Sequence, residues 1–202
     1  MKKQKIFLVI IILFSSISLL GCNRNNKNYD IGMLREAIRN QEYEEAKRYV
    51  ETVLKKESNN SEARVILNYI KYEDDMLLAT FWDDDIDAMK YIAPIIYDIN
   101  RNDLRFEAPV LVLAAAWGKT DMVKILLEAG ADPNYGADKN GLTALMWASK
   151  SFESQLEMVK MLLEAGADIH AQSNYNETPL SIAKEYMNVE VISIIKEYSN
   201  DY

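Results

Sequence analysis

Apolar residues in the second half of the chain recur in paired blocks at helical spacing. Leu111, Leu113, Ala114 and Ala115 form a short block that stops near Gly118. Met122, Val123, Leu126 and Leu127 follow, three and four residues apart, and predict one apolar face of a helix over Asp121 to Ala129. Gly130 then stands just past that helix, where a left-handed backbone costs glycine little. Pro133, Asn134, Gly136, Asp138, Asn140 and Gly141 supply turn chemistry and predict a protruding loop or hairpin. The sequence of blocks restarts at Thr143, a candidate N-cap, with a first helix through Ala148 and a second from Gln155 to Ala165. It restarts again at Thr178, with Pro179 at the first helical position and a second helix over Val189 to Tyr198.

The blocks are near copies. Met122 to Asp132 and Met158 to Asp168 differ only where Ile125 is replaced by Met161, at an offset of 36 residues. Self-similarity at such a period marks a stacked array, which presents an extended surface in place of a closed pocket. Met89 to Asp98 spans the same interval as Val123 to Asp132, and Asp98-Ile99-Asn100 echoes Asp132-Pro133-Asn134. Residues 75–108 therefore read as a diverged unit ahead of 109–142, 143–177 and 178–202. Upstream, Leu34, Ala37 and Ile38 face one way on a helix, and Tyr43, Ala46, Tyr49, Val50 and Val53 on a second. Residues 30–74 are expected to form a helical cap, since end units in such arrays are atypical.

The openings Gly141-Leu142-Thr143-Ala144-Leu145 and Asn176-Glu177-Thr178-Pro179-Leu180, with the closes at 126–132 and 162–168, resemble the ankyrin repeat. The resemblance implies an all-α solenoid of helix-loop-helix units with hairpin loops behind the N-terminal cap. The family period is about 33 residues, and the excess falls near Phe152–Ser154 and Ala137–Lys139. The family's histidine is Met146 in one unit and Ser181 in the next, so that histidine's hydrogen bonds are expected to be missing. Gln41 to Ala46, with Asn59 to Ala63, looks like a tetratricopeptide helix pair; an ankyrin N-terminal cap starts the same way.

The N-terminus carries an address. Lys2, Lys3 and Lys5 precede an apolar run from Ile6 to Phe14, then serines and Leu19-Leu20-Gly21-Cys22. The charged start and short apolar core read as an export signal, and a spanning helix needs about 20 apolar residues. Leu-Leu-Gly-Cys resembles the bacterial lipoprotein signal. That resemblance implies removal of residues 1–21, lipidation of Cys22 and attachment to the outer side of a membrane. An ordinary signal peptide or an uncleaved anchor are the competing readings. Residues 22–29, polar after Cys22, read as a tether.

Charge narrows the partner. The chain carries −8, and losing Lys2, Lys3 and Lys5 with the signal takes it to −11. Such a surface repels nucleic acid and anionic lipid. Cys22 is the one cysteine, so no disulfide framework is expected. His170, the one histidine, sits in a loop with no partner for general-base work. Asp83-Asp84-Asp85 with Asp87 lacks the alternation and glycine of a calcium loop and reads as a solvated acidic loop. No cofactor, metal or catalytic site is expected.

In the ankyrin resemblance, loop tips and first-helix ends line one concave face. Position counting puts Phe106, Trp117, Lys139, Asn140, Leu142, Lys150, Ser151, Phe152, Tyr175, Glu177, Glu185 and Tyr186 there. Packing between repeats accounts equally well for Trp117 and Tyr186, and Trp147 reads as core. The expected function is a membrane-tethered monomer that binds a protein partner; the alternative is an inhibitor or immunity protein that blocks an enzyme.

Overall fold

A computed structural model describes residues 36–38, 40–96, 98–150 and 156–200. Cys22, Ser151 and Phe152 lie outside the described residues, as do the signal and the tether. The described chain belongs to one compact unit spanning residues 34–202.

Helices come in pairs: α1 (Tyr43–Lys56) with α2 (Ser61–Tyr69), and α3 (Met76–Trp82) with α4 (Ile86–Ile92). Then come α5 (Val110–Ala116) with α6 (Thr120–Glu128), α7 (Ala144–Ser149) with α8 (Leu156–Glu164), and α9 (Pro179–Glu185) with α10 (Val189–Asn200). Between α4 and α5, β1 (Asn102–Asp103) pairs antiparallel with β2 (Ala108–Pro109), with Asp103 opposite Ala108. Among the described residues no helix is long and apolar enough to cross a membrane.

The pairs stack into two layers. α5, α7 and α9 pack side by side as an inner layer, and α4, α6, α8 and α10 as an outer one. Small side chains permit this: Ala114, Ala115, Ala144 and Ala148 are buried between inner helices, and helix separation follows the side chains at the contact. Leu126 and Leu162 are fully buried on the outer helices. α1 and α2 close the N-terminal end over a second core that includes Val50, Ile66, Met76 and Ile92. The described part of the cap is thus a helical hairpin, as both readings of its sequence require.

Thr143 caps α7 by accepting from Met146 N–H at 3.3 Å. At α9 the missing histidine is replaced. Ser181 accepts from Thr178 N–H at 2.8 Å and donates to the Thr178 carbonyl at 3.0 Å, while Thr178 accepts from Ser181 N–H at 3.1 Å. This reciprocal box satisfies donors that the first turn leaves open. The expected gap in loop hydrogen bonding is therefore absent from this unit.

Loops bind the units together by a ladder. Asn100 accepts from Asp132 N–H at 2.9 Å. One unit on, Asn134 accepts from Asp168 N–H at 2.7 Å and donates to the Gly166 carbonyl at 2.8 Å. The hairpins are linked separately: Asn174 N–H donates to the Asn140 carbonyl at 3.0 Å, and its side chain to the Lys139 carbonyl at 3.1 Å. Gly141 makes room for this contact. Its φ is +78°, and a Cβ there would lie 2.7 Å from the Asn174 nitrogen.

Candidate interaction surface

Each hairpin is built on one polar residue. Asp103, Asp138 and Ser173 accept through their side chains from the N–H two residues on, at Arg105, Asn140 and Tyr175. Main-chain bonds between Asp103 and Glu107, Asp138 and Leu142, and Ser173 and Glu177 close the turns. Such side-chain-to-backbone bonds are what Asp and Ser do best in turns. The hairpins lead into the inner helices, and the ankyrin resemblance implies a groove between the two.

The ends of the inner helices line that groove with aromatic rings. Trp82, Trp117 and Tyr186 lie at or just after the last turn of α3, α5 or α9; Trp117 and Tyr186 each stand one residue before a residue at positive φ, Gly118 and Met187, and Trp82 stands two before Asp84, one position out of that register. Trp82, Phe106 of the first hairpin and Trp117 form a triangle with centroids 5.1–5.4 Å apart. Phe81 packs beneath, 5.0 Å from Trp82 and 5.5 Å from Trp117. These are the separations at which offset and edge-on rings attract.

Three rings of this cluster stay in water. Trp82 is 37% exposed, Phe106 43% and Trp117 44%; Leu104, at the hairpin tip, is 91% exposed. Charges around them are paired internally. Asp103 is buried and accepts from Trp82 Nε1 at 2.8 Å and from Arg105 Nη2 at 2.8 Å. The Arg105 guanidinium lies 4.2 Å from the Trp82 centroid. Burial pushes the Asp103 pKa up, but the Arg105 side chain and N–H and the Trp82 indole stabilise the carboxylate and leave it below the usual range. Lys119 pairs with Asp84 across the two units.

The acidic loop is structural as well as solvated. Asp85 caps α4 by accepting from Ala88 N–H at 2.8 Å. The Tyr69 hydroxyl of the cap lies 3.2 Å from Asp83 and 3.1 Å from Asp85. Burial, then the Asp85 and Asp83 carboxylates, push its pKa up. Among the described residues no three His, Cys, Asp or Glu side chains form a metal cluster. His170 is exposed, and its N–H donates to Asp168 at 2.8 Å in a local turn.

A second aromatic patch lies farther along the groove. Leu142 is not exposed as position counting implied: it is buried with Met146 and Ile182 because it enters the groove floor as the hairpin closes on Asp138. Trp147 is not core. It is half-buried, donates to Asp138 at 3.1 Å and carries Lys150 4.5 Å from its ring centroid. Tyr186 packs half-buried on the same small cluster. Glu177 is held inward by Ser173 Oγ at 3.0 Å. Asn140 is half-buried and its main chain carries the next hairpin, whereas Lys139, Tyr175 and Glu185 are exposed. Trp82 is not among the residues expected here; it precedes Trp117 by 35 residues where the two units stand 34 apart, so no repeat register signals it.

Residues 76–173 match the family model for ankyrin repeats, in three copies. This segment is an ankyrin-repeat array. The array is a protein-interaction module, of a kind generally without catalysis. No curated protein matches the chain. The α9–α10 pair and the α1–α2 cap lie outside the matched ankyrin residues.

Proposed function

We propose that the protein is a lipoprotein of a bacterial envelope, tethered through Cys22, whose ankyrin groove docks a protein partner. The observation that carries the groove is the row of aromatic side chains left exposed along it, Trp82, Phe106 and Trp117. Exposed apolar clusters rimmed by polar groups mark interaction sites, and Trp is enriched among residues that dominate binding energy. The lipid fixes the location and raises the local concentration of the module.

Photo-crosslinking from positions 106 and 175 in intact cells tests the groove. Capture of one partner from both positions, abolished by purified competitor array, is the expected result; capture only from outer-helix positions 124 and 160 would move the interface. Cys22→Ala tests the anchor separately, by release from the membrane fraction or stalled processing. Unchanged attachment with normal signal removal would overturn it. An inhibitor or immunity role predicts that the captured partner is an enzyme whose activity the array blocks.

A further inference from the structure

The rim of the first aromatic patch points to the chemistry of what it holds. This inference rests on the groove reading above. Asp83 adjoins Trp82 and Glu107 adjoins Phe106 in the chain, with Asp83 also accepting from the Tyr69 hydroxyl at 3.2 Å. Arg105 and Lys119 are already paired with Asp103 and Asp84, so the remaining field at the rim is that of Asp83 and Glu107, both exposed.

Glu107 is the informative member. Its φ is +52°, a left-handed conformation that costs a side-chain-bearing residue about 1–2 kcal/mol. The other hairpins meet the same demand with Gly141 at +78° and Asn176 at +60°, the residue types that tolerate it best. A glutamate here puts a carboxylate beside Phe106 at a cost that the turn itself does not require. Strain kept at such a position is a mark of use. The first hairpin is also longer: Pro109 stands six positions after Asp103, against five from Asp138 to Thr143 and from Ser173 to Thr178. The longer tip carries Leu104, 91% exposed.

We propose that this patch takes a polypeptide segment that presents a large apolar side chain next to lysine or arginine. The apolar side chain would lie on Trp82, Phe106 and Trp117, and the cation would meet Glu107 and Asp83. Charge of this sign disfavours an anionic bilayer as the occupant.

Three synthetic peptides and one vesicle test it on the mature chain, read by peptide fluorescence anisotropy. One peptide combines tryptophan and leucine with lysine, the second replaces lysine with glutamate, and the third replaces the apolar residues with serine. The first should bind at least about tenfold more tightly than either other, and more weakly as salt rises. Phe106→Ala should weaken it about thirtyfold, the effect of losing a hot-spot ring, and Leu104→Ser gives a second apolar deletion at a side chain that cannot unfold the array. Glu107→Gly should weaken the lysine peptide by up to about fivefold while leaving the melting temperature unchanged or higher. Equal binding of the serine peptide, equal binding of the glutamate peptide, indifference to Glu107→Gly, or binding of phosphatidylglycerol vesicles that Phe106→Ala abolishes would each overturn the proposal. If no peptide binds while positions 106 and 175 still capture a partner, this inference falls and the groove reading stands; if those positions capture nothing, the groove reading falls too.

Discussion

The Trp82 indole donates to the buried carboxylate of Asp103 at 2.8 Å, so the residue that closes the first hairpin also orients a ring of the groove. Asp103→Asn should therefore destabilise the fold by about 1–3 kcal/mol, the range for an unsatisfied buried polar group. Both Asp103 oxygens accept from N–H donors, and an amide must turn an NH₂ toward one of them. Urea melts of the variant check this. Trp82 emission should also move toward that of exposed indole.

The same carboxylate sets a pH dependence. The Asp103 pKa is depressed in the fold, so its contribution is present above the unfolded value of about 3.9 and lost as pH falls through the lower folded value. Denaturant midpoints should fall on acidification below about pH 4, and the Asp103→Asn variant should lack that component. An equal acid-induced loss in both proteins would contradict it.

Gly141→Ala should cost more than Gly130→Ala. Both glycines have positive φ, but a Cβ at Gly130 meets nothing within 4 Å, whereas one at Gly141 meets Asn174 at 2.7 Å. Gly130→Ala should cost about 1–2 kcal/mol from backbone conformation alone, and Gly141→Ala should add the loss of the hairpin contact. Paired thermal melts decide it; equal costs would mean that the hairpins separate without penalty.

Leu126→Ala and Leu162→Ala should each destabilise the array by about 2–5 kcal/mol. Both side chains are fully buried in the main core. Calorimetry on the two variants is the measurement, and a cost under about half a kilocalorie would misplace that helix face.

Tyr175→Ala should leave stability within about half a kilocalorie, because the side chain is 69% exposed at a hairpin tip. Partner capture from position 106 should nonetheless weaken. A melting curve beside a capture assay separates the two effects.

Where side chains face the neighbouring unit, the sequence was a sufficient guide. Met122 to Leu126 and Met158 to Leu162 repeat because each must meet a copy of the same surface, and that need is visible as periodicity. Leu142 is buried and Trp147 half-buried for one reason. Both lie where a hairpin folds over an inner helix, so their burial depends on a contact that spacing along one helix does not register. Trp82 is not legible as a repeat position because Asp84 stands where Gly118 stands in the next unit, which puts Trp82 one residue out of register with Trp117. Ser181 was legible only as a missing histidine, since its replacement works through two hydrogen bonds to Thr178 that no spacing rule encodes.

The loop ladder has a direction. Asn100 and Asn134 each reach forward to the following loop, but the next position in register is His170, and no loop follows α10 in the described chain. Where an engineered extra unit is placed in the array therefore matters. A copied unit inserted before Thr178, with its own forward-reaching asparagine, would find a receiving loop at the right distance. A unit appended after Asn200 would meet His170 in place of the asparagine and the exposed Lys184, Lys196 and Glu197 of the last pair. An engineered extra unit should therefore be accepted more readily before Thr178 than after Asn200.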